Sequence, residues 1–266
     1  MIVRTAGPAD EADADDVQVD DVQDDDAQED DARADDAFDG SAPVDDPQVG
    51  DAPDEDADDE PEATRTARGT SGPAVVVVHD WYGPLPHVAE FADELTMAGF
   101  DVELVDLYDG VTTDDPGRAE VLAEALDGAD ALEQIAAAAE RLRDGGATYV
   151  GAVGFSLGGS LVLRVAADGA LDAVVVYYAT CDLDDVAGLT CPVQLHLARD
   201  DEFESAADVE EFVVALRAGG ATVDDFVYRG TEHSFANADV AAFSAPHAAE
   251  VALARTIGFL HARLAG

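Results

Sequence analysis

Short apolar runs alternate with amphipathic stretches along most of this chain. Residues 74–79 form a continuous valine-rich run, which is typical of a strand covered on both faces. Residues 87–97 instead place Val88, Phe91 and Leu95 at helical spacing. The same two patterns recur to the end of the chain, so they predict an alternation of strands and helices.

Strands are predicted at residues 74–79, 102–107, 148–155, 171–178, 193–197 and 222–228. Helices are predicted at residues 87–97, 118–126, 129–143, 157–167, 206–218 and 248–264. Because the two kinds of element alternate almost throughout, the pattern predicts an α/β fold with a mostly parallel, doubly covered sheet. Reactive residues are expected in the loops that follow the strands, where open α/β sheets carry their chemistry.

The first 70 residues differ in composition from the rest. They hold 26 acidic residues and four arginines, a net charge of −22, and Phe38 is their only aromatic residue. A segment with so few apolar side chains cannot offset its conformational entropy, so we expect a disordered acidic tail and no signal peptide. The tail is an interaction segment, a solvating extension or the product of a start codon assigned too far upstream, and we favour the last two. Residues 71–266 then form one folded domain.

The whole chain carries 60 acidic and 13 basic residues, a net charge of −47, and it contains no lysine. This charge excludes nucleic acids and anionic membrane surfaces as partners, because both would be repelled. The folded domain has a net charge of −25, which destabilises it by self-repulsion unless salt reduces the screening length to about 3 Å. The composition resembles that of extremely halophilic organisms. A GC-rich genome is the alternative explanation, and we favour the halophile.

Cys181 and Cys191 are the only cysteines, and the six histidines are scattered along the chain. This pattern indicates neither a disulfide framework nor a metal site. No stretch reaches the roughly 18 to 20 apolar residues of a membrane span. We therefore expect a soluble, cytoplasmic, monomeric protein without a metal or another cofactor.

A nucleophile elbow is predicted between the third strand and the following helix. There the sequence contains the pattern GxSxG, with Ser156 between Gly154 and Gly158. In a strand, sharp turn and helix context, this pattern exposes a serine hydroxyl to a substrate carbonyl. The turn also aims the amide of Leu157, at a helix N-terminus, towards the oxyanion that forms. An ordinary turn is the less favoured interpretation.

A serine nucleophile needs a histidine base and an acid that orients it, in the chain order Ser, acid, His. His233 follows the sixth predicted strand and is the best base, because the other histidines lie in or beside predicted strands and helices. Asp200 and Asp201 follow the fifth strand and are equivalent candidates for the acid. A fallback set of acids follows the fourth strand, namely Asp182, Asp184 and Asp185.

The loop after the first strand supplies a candidate for the second oxyanion donor. Its sequence is His79, Asp80, Trp81, Tyr82, Gly83. The amide of Trp81 would serve, because hydrolases of this kind take the second donor from a loop after an early strand. Trp81 and Tyr82 could also simply cap the core.

Five motifs in order resemble those of the dienelactone hydrolase family of α/β-hydrolases. They are VVVVHDWYG at 75–83, VDLYDG at 105–110, GFSLGG at 154–159, ARDDEF at 198–203 and YRGTEHSFAN at 228–237. The resemblance extends over residues 73–264 and implies an α/β-hydrolase fold and hydrolysis of lactones or esters. It also selects Asp201 over Asp200 as the acid. Asp80 matches an acidic residue that, in the founding enzymes, holds the resting nucleophile inactive.

Two departures from the family change the expected substrate. The best-known members use cysteine in the elbow, where this chain has Ser156, so control of a resting thiolate does not carry over simply. The family's arginine that binds the substrate carboxylate falls on Asn237, and Arg118 is only a weak candidate for a second arginine. We therefore expect a small, uncharged ester or lactone rather than an anionic lactone.

The sequence thus predicts a hydrolase in which Ser156 attacks, His233 acts as the base and Asp201 orients it. A small-molecule ester or lactone is the expected partner. A thioesterase or peptidase on the same fold and a non-catalytic binding module remain alternatives. The residues expected to form the substrate pocket are Asp80, Trp81, Tyr82, Tyr108, Phe235 and Asn237.

Overall fold

The computed structural model describes residues 72–265. The acidic tail at residues 1–70 lies outside the described residues, so its disorder and the domain boundary stay predictions. The strands are β1 (Ala74–Val78), β2 (Asp101–Val105), β3 (Val150–Phe155), β4 (Ala173–Tyr177), β5 (Val193–Ala198) and β6 (Val223–Tyr228). The α-helices are α1 (Pro86–Met97), α2 (Pro116–Ala125), α3 (Gly128–Asp144), α4 (Leu157–Ala167), α5 (Ala206–Gly219) and α6 (Pro246–Leu264). Each corresponds to a predicted element, whereas a short 3₁₀ helix, Leu183–Val186, has no counterpart among the predictions.

Most element boundaries differ from the predictions by one or two residues. β2 ends at Val105, and two residues later the amide of Leu107 donates a hydrogen bond to Nε2 of His79 (3.0 Å) instead of continuing the strand. β3 begins at Val150, whose amide donates to the carboxylate of Asp172 (2.8 Å). Side-chain acceptors of this kind set the ends of strands and are not visible in a hydrophobic pattern.

All six strands are parallel and lie in the order β2-β1-β3-β4-β5-β6, which confirms the predicted sheet. The chain runs from β1 to β2 on one side and then returns to β3 on the other. The strand order therefore reverses between β1 and β3, and open α/β sheets bind ligands at such a switch point. The loops that leave β1 and β3 there carry Asp80, Trp81 and Ser156.

Alternate residues of each strand contribute to two separate cores, one on each face of the sheet. Val76 and Val78 belong to the core that includes residues of α3, α4 and α5. Val75 and Val77 belong to the core that includes residues of α1 and α6. Every residue of β1 and β3 is buried, as the valine-rich runs predict. Among the helices within residues 72–265, none combines the length and the hydrophobicity that a membrane span requires.

Many acidic side chains of the described region have identifiable positions at the surface. Asp115 accepts a hydrogen bond from the amide of Arg118 at the start of α2 (2.8 Å), and Asp127 caps α3 in the same way. Negative side chains are favoured there by the unpaired amides and the helix dipole. The excess charge is thus compatible with an apolar core, and Asp80 and the side chain of Asp201 are buried exceptions.

Candidate active site

Ser156 lies at the sharp turn between β3 and α4. Its backbone has φ 47° and ψ −111°, a strained conformation that residues other than glycine rarely adopt. A side chain at Gly154 would collide with the backbone of Gly158, and one at Gly158 would collide with the carbonyl oxygens of Val78 and His79. The glycines of the motif therefore allow the close approach that this turn requires.

Three side chains from the loops after β3, β5 and β6 meet at the elbow. Oγ of Ser156 lies 2.8 Å from Nε2 of His233. Nδ1 of His233 lies 2.9 and 3.0 Å from the two carboxylate oxygens of Asp201. With the proton on Nδ1, His233 donates to Asp201, and its Nε2 accepts from the serine hydroxyl. Ser156 and His233 are only 6% and 7% exposed, so the three groups interact largely away from water.

The loop after β5 brings Asp201, and not Asp200, to the histidine. Oδ1 of Asp201 also accepts hydrogen bonds from the amides of Phe203 (2.9 Å) and Glu204 (3.1 Å), which fix the carboxylate. Asp200 is exposed, and within residues 72–265 the fallback acids after β4 make no ion pair with His233. Among the described candidate acids, Asp201 is the one that hydrogen-bonds to His233.

Glu204 ties this acid-bearing loop to the loop after β4. Its carboxylate accepts hydrogen bonds from the amide (3.0 Å) and the hydroxyl (2.6 Å) of Thr180. Burial raises the pKa of Glu204, and the bonds from Thr180 partly offset that increase. The ring of Tyr178, the first residue after β4, packs against His233 with centroids 5.0 Å apart. Glu204 and Tyr178 were not identified from the sequence. Tyr178 directly follows β4, and Glu204 directly follows the motif at 198–203, so both positions could have been considered.

Asp80 and Asn237 connect the loops after β1 and β6 and are both completely buried. The Asp80 carboxylate accepts hydrogen bonds from the amide of Tyr82 (2.9 Å) and from Nδ2 of Asn237 (3.0 Å). Burial raises the pKa of Asp80, while these hydrogen bonds lower it in part. Oδ1 of Asn237 accepts from the amides of Asp239 and Val240. Neither Asp80 nor Asn237 is among the residues that line the cavity described below.

A cavity of about 380 Å³ opens beside His233. Four aromatic side chains line it, namely Trp81, Tyr82, Phe203 and Phe243. Three acidic side chains line it as well, namely Asp200, Glu202 and Glu232. Trp81 and Tyr82 are thus placed where the sequence predicted a pocket, whereas Phe203 and Phe243 were not anticipated.

Tyr108 and Phe235 do not line this cavity, contrary to the prediction from sequence. Phe235 is 0% exposed and packs in the core against the rings of Tyr178 and Tyr228, at 5.4 and 5.0 Å. Tyr108 is also buried and packs against the ring of His79 at 4.9 Å. The loops after β2 and β6 thus each place one aromatic ring in the core, where the burial of its apolar surface stabilises the fold.

The two predicted oxyanion donors come from the elbow itself and from the loop after β1. Leu157 is the first residue of α4, and the first amides of a helix have no acceptor within that helix. Trp81 lines the cavity, and the chain turns after it at Gly83, where φ is 90°. Arg118 is not among the residues that line the cavity. Within residues 72–265 no group of histidine, cysteine and acidic side chains could hold a metal ion.

Comparison with known proteins gives consistent matches. Residues 63–264 match the sequence profile of the dienelactone hydrolase family. A carboxymethylenebutenolidase of Pseudomonas sp. (strain P51) is 32% identical over 211 residues, which cover 73% of this chain and 86% of that protein. A Bradyrhizobium sp protein assigned as a 2-oxo-3-(5-oxofuran-2-ylidene)propanoate lactonase is 27% identical over 212 residues, 73% of this chain and 85% of that protein. A Klebsiella pneumoniae structure assigned as a dienelactone hydrolase shares the fold, with a TM-score of 0.64 and 24% identity over 73% of this chain and 89% of that one.

Proposed function

We propose a serine-dependent double displacement for this chain, which belongs to the dienelactone hydrolase family and is a hydrolase of lactones or esters. The observation that carries the proposal is the continuous set of hydrogen bonds from Ser156 through His233 to Asp201. A cysteine nucleophile is not favoured. Burial raises the pKa of Cys181 to about 12 and that of Cys191 to about 11, so both stay thiols, and neither lines the cavity.

In the first half-reaction, Oγ of Ser156 attacks the carbonyl carbon while Nε2 of His233 takes the hydroxyl proton. The new C–O bond pushes the carbonyl electron pair onto oxygen. Collapse of this intermediate breaks the bond to the leaving oxygen, which receives the proton from His233. In the second half-reaction, His233 removes a proton from water, and the resulting hydroxide attacks the acyl carbon. Collapse of this second intermediate breaks the bond to Oγ of Ser156, which takes the proton back from His233. Asp201 orients the imidazole and stabilises its protonated form throughout.

The developing oxyanion is proposed to bind the amides of Leu157 and Trp81. The position of Leu157 at the N-terminus of α4 supports this assignment, because unpaired amides and the helix dipole both favour negative charge there. The amide of Trp81 is assigned from its place on the loop after β1. Removing one such donor in other hydrolases lowers kcat by about a hundredfold or more.

Asp80 is proposed to support the Trp81 loop and not to restrain the nucleophile. Its carboxylate accepts hydrogen bonds from Tyr82 and Asn237, while the hydroxyl of Ser156 is paired with His233. A serine is a neutral hydroxyl before attack and needs no acidic neighbour to keep it inactive. The role that the resemblance assigns to this position in cysteine enzymes is therefore not carried over.

The test compares Ser156→Ala with Ser160→Ala. Both serines are buried, and Ser160 lies one turn further along α4, where its amide donates to the carbonyl of Ser156 (3.0 Å). With p-nitrophenyl acetate in concentrated KCl, Ser156→Ala should lose turnover by about a thousandfold or more, whereas Ser160→Ala should keep most of it. A fluorophosphonate probe should label Ser156 in the unaltered protein. Retained turnover in Ser156→Ala would disprove the mechanism, and folded protein that resists labelling would indicate a non-catalytic binding module.

We further propose that the protein works as a monomer in a salty cytoplasm, with an acidic tail at residues 1–70 before a hydrolase domain at 71–266. The net charge of −47 and the absence of lysine support the first part of this proposal. The melting temperature should rise steeply with KCl concentration. Deleting residues 1–70 should leave the activity unchanged, and a loss of activity would give the tail a role.

A further inference from the structure

The charge of the cavity is opposite to what an anionic substrate needs. Its lining includes the carboxylates of Asp200, Glu202 and Glu232, and no arginine is among the residues that line it. Within residues 72–265, none of these three carboxylates forms an ion pair with arginine or histidine. Their negative charge is therefore not neutralised by a neighbouring side chain of the described region.

The aromatic lining forms a connected group of rings next to these carboxylates. The ring of Trp81 lies 5.9 Å from that of Phe203 and 5.5 Å from that of Tyr82, in edge-to-face arrangements. Phe203 is in turn 4.8 Å from the ring of His233, so the group reaches the reacting atoms. Phe243 packs at the same cluster as Tyr82. The faces of such rings attract cations, and quaternary ammonium groups in particular bind between aromatic side chains.

From these two features together we infer that the substrate of the proposed hydrolase carries a cationic ammonium group, placed in this cavity while the ester or lactone carbonyl meets Ser156. This inference depends on the proposed function for the carbonyl and adds the charge of the rest of the substrate. The rings supply cation–π contacts, and the three carboxylates raise the local concentration of cations.

A cationic substrate also fits the charge changes of the reaction. Attack by Ser156 places a negative charge on the carbonyl oxygen in a site already lined by Asp200, Glu202 and Glu232. For a neutral substrate, these carboxylates disfavour the oxyanion. A positive charge on the substrate offsets that repulsion, whereas a negative one adds to it. The carboxylate-bearing lactones that the family resemblance suggests are therefore the least suitable substrates.

The first test measures binding without any reaction. Trp81 is the only tryptophan of the chain and lines the cavity, so its fluorescence reports directly on occupancy. Choline, its uncharged carbon isostere dimethylbutanol and the anion isethionate are titrated into the whole protein at constant ionic strength. Choline should bind with a Kd about tenfold below that of dimethylbutanol, and isethionate should give no saturable change. Equal Kd values for choline and dimethylbutanol would overturn the inference.

Charge variants separate the local field from the net charge of the protein. Combining Asp200→Asn, Glu202→Gln and Glu232→Gln should bring the Kd of choline to within about threefold of that of dimethylbutanol. The matched control removes the same charge from exposed acids elsewhere, as Asp144→Asn, Glu210→Gln and Glu211→Gln. This control should keep the preference for choline. If both variants lost the preference for choline, the preference would come from the net charge of the protein, and the inference of a local cation site would be wrong.

The kinetic test uses the acetate esters of the same three alcohols. The kcat/KM ratio of acetylcholine to dimethylbutyl acetate should be about ten, mainly through KM, and Phe203→Leu should lower that ratio. Hydrolysis of both esters at equal efficiency would refute the inference while leaving the proposed function intact. If no ester is hydrolysed but choline still binds preferentially, the proposed function fails and the cation site remains.

Discussion

His233 and His196 are both buried and both hydrogen-bonded through each ring nitrogen, but the charges of their partners differ. His233, after β6, lies between the hydroxyl of Ser156 and the carboxylate of Asp201. The hydrogen-bond partners of His196, in β5, are neutral. Its Nδ1 accepts from the hydroxyl of Tyr228 (2.8 Å), and its Nε2 donates to Oε1 of Gln194 (3.0 Å), with Oγ1 of Thr256 at 3.1 Å.

The charge of the hydrogen-bond partners distinguishes His196 from His233. Burial and, to a smaller extent, the nearby positive charge of Arg255 together lower the pKa of His196 to about 3, so this ring stays neutral. His233 instead has the carboxylate of Asp201 as a partner, which in the proposed mechanism orients the ring and offsets the positive charge of the imidazolium intermediate. The two sites teach that a buried histidine with neutral hydrogen-bond partners stays neutral, whereas the buried histidine proposed as the base has a carboxylate partner.

The largest expected effect separates the two histidines by activity. His233→Ala removes the base, so kcat for p-nitrophenyl acetate should fall by about a thousandfold or more. His196→Gln should keep turnover within about tenfold, because His196 does not contact the reacting groups and glutamine preserves one donor and one acceptor. Steady-state kinetics on folded variants, checked by circular dichroism, would measure both. Comparable losses in the two variants would contradict the comparison.

The second prediction concerns the carboxylate that distinguishes the two sites. Asp201→Asn removes its charge and turns a donor towards the histidine, so kcat should fall by about a hundredfold or more. Asp184→Asn is the control, since this exposed residue belongs to the fallback set of acids and lies in the 3₁₀ helix. It should change kcat by less than about twofold. If Asp184→Asn lost more activity than Asp201→Asn, the acid that orients the histidine would lie in the loop after β4.

The third prediction concerns stability at acid pH. The pKa of His196 is lower in the folded state than its ordinary value of 6.5, so the unfolded chain binds more protons between these two values. The free energy of unfolding should therefore fall as pH decreases through this window, with His196 contributing roughly 2 kcal/mol of the loss between pH 7 and 5. Denaturant unfolding of the unaltered protein and His196→Gln at fixed KCl would show it. An equally steep decline in His196→Gln would assign the loss to other groups.

The smallest effect comes from the cation near His196. Arg255 lies over the ring of Phe226 at 4.1 Å and donates to the hydroxyl of Tyr228 (3.1 Å). Arg255→Met should cost about 0.5 to 1 kcal/mol in the free energy of unfolding. It should also make the protein slightly less sensitive to acid, because the pKa of His196 rises when the positive charge is removed. Arg263→Met, with its guanidinium 5.5 Å from the ring of Phe259, is the matched control and should leave the acid sensitivity unchanged.

The order and type of the elements could be predicted because the burial of this sheet is so regular. β1 and β3 are apolar throughout, and the short loops after them carry the residues that the chemistry requires. Ser156 and His233 were found from local context and chain order. Asp201 needed the family resemblance, since Asp200 has the same chemistry and only the fold of the loop decides which side chain meets the histidine.

The walls of the cavity could be predicted only in part. The side chain of a residue that follows a strand can enter the core or line the cavity. Phe235 is buried in the core, whereas Phe203 lines the cavity. Asn237 was expected in the pocket because the family has an arginine there. The shorter side chain of Asn237 instead donates a hydrogen bond to the buried carboxylate of Asp80. Asp80 lies in a loop far from Asn237 in sequence, so this pairing could not be predicted from local pattern.

The parallel sheet also has a consequence for how the enzyme becomes active during folding. Parallel neighbours cannot form as local hairpins, and the hydrogen bond between Ser156 and His233 joins residues 77 positions apart. The histidine follows β6, which within residues 72–265 lies at the edge of the sheet and pairs with β5. Recovery of esterase activity after dilution from denaturant should therefore mark the docking of this edge strand. It should lag behind the fluorescence of Trp81, which follows the interior strand β1.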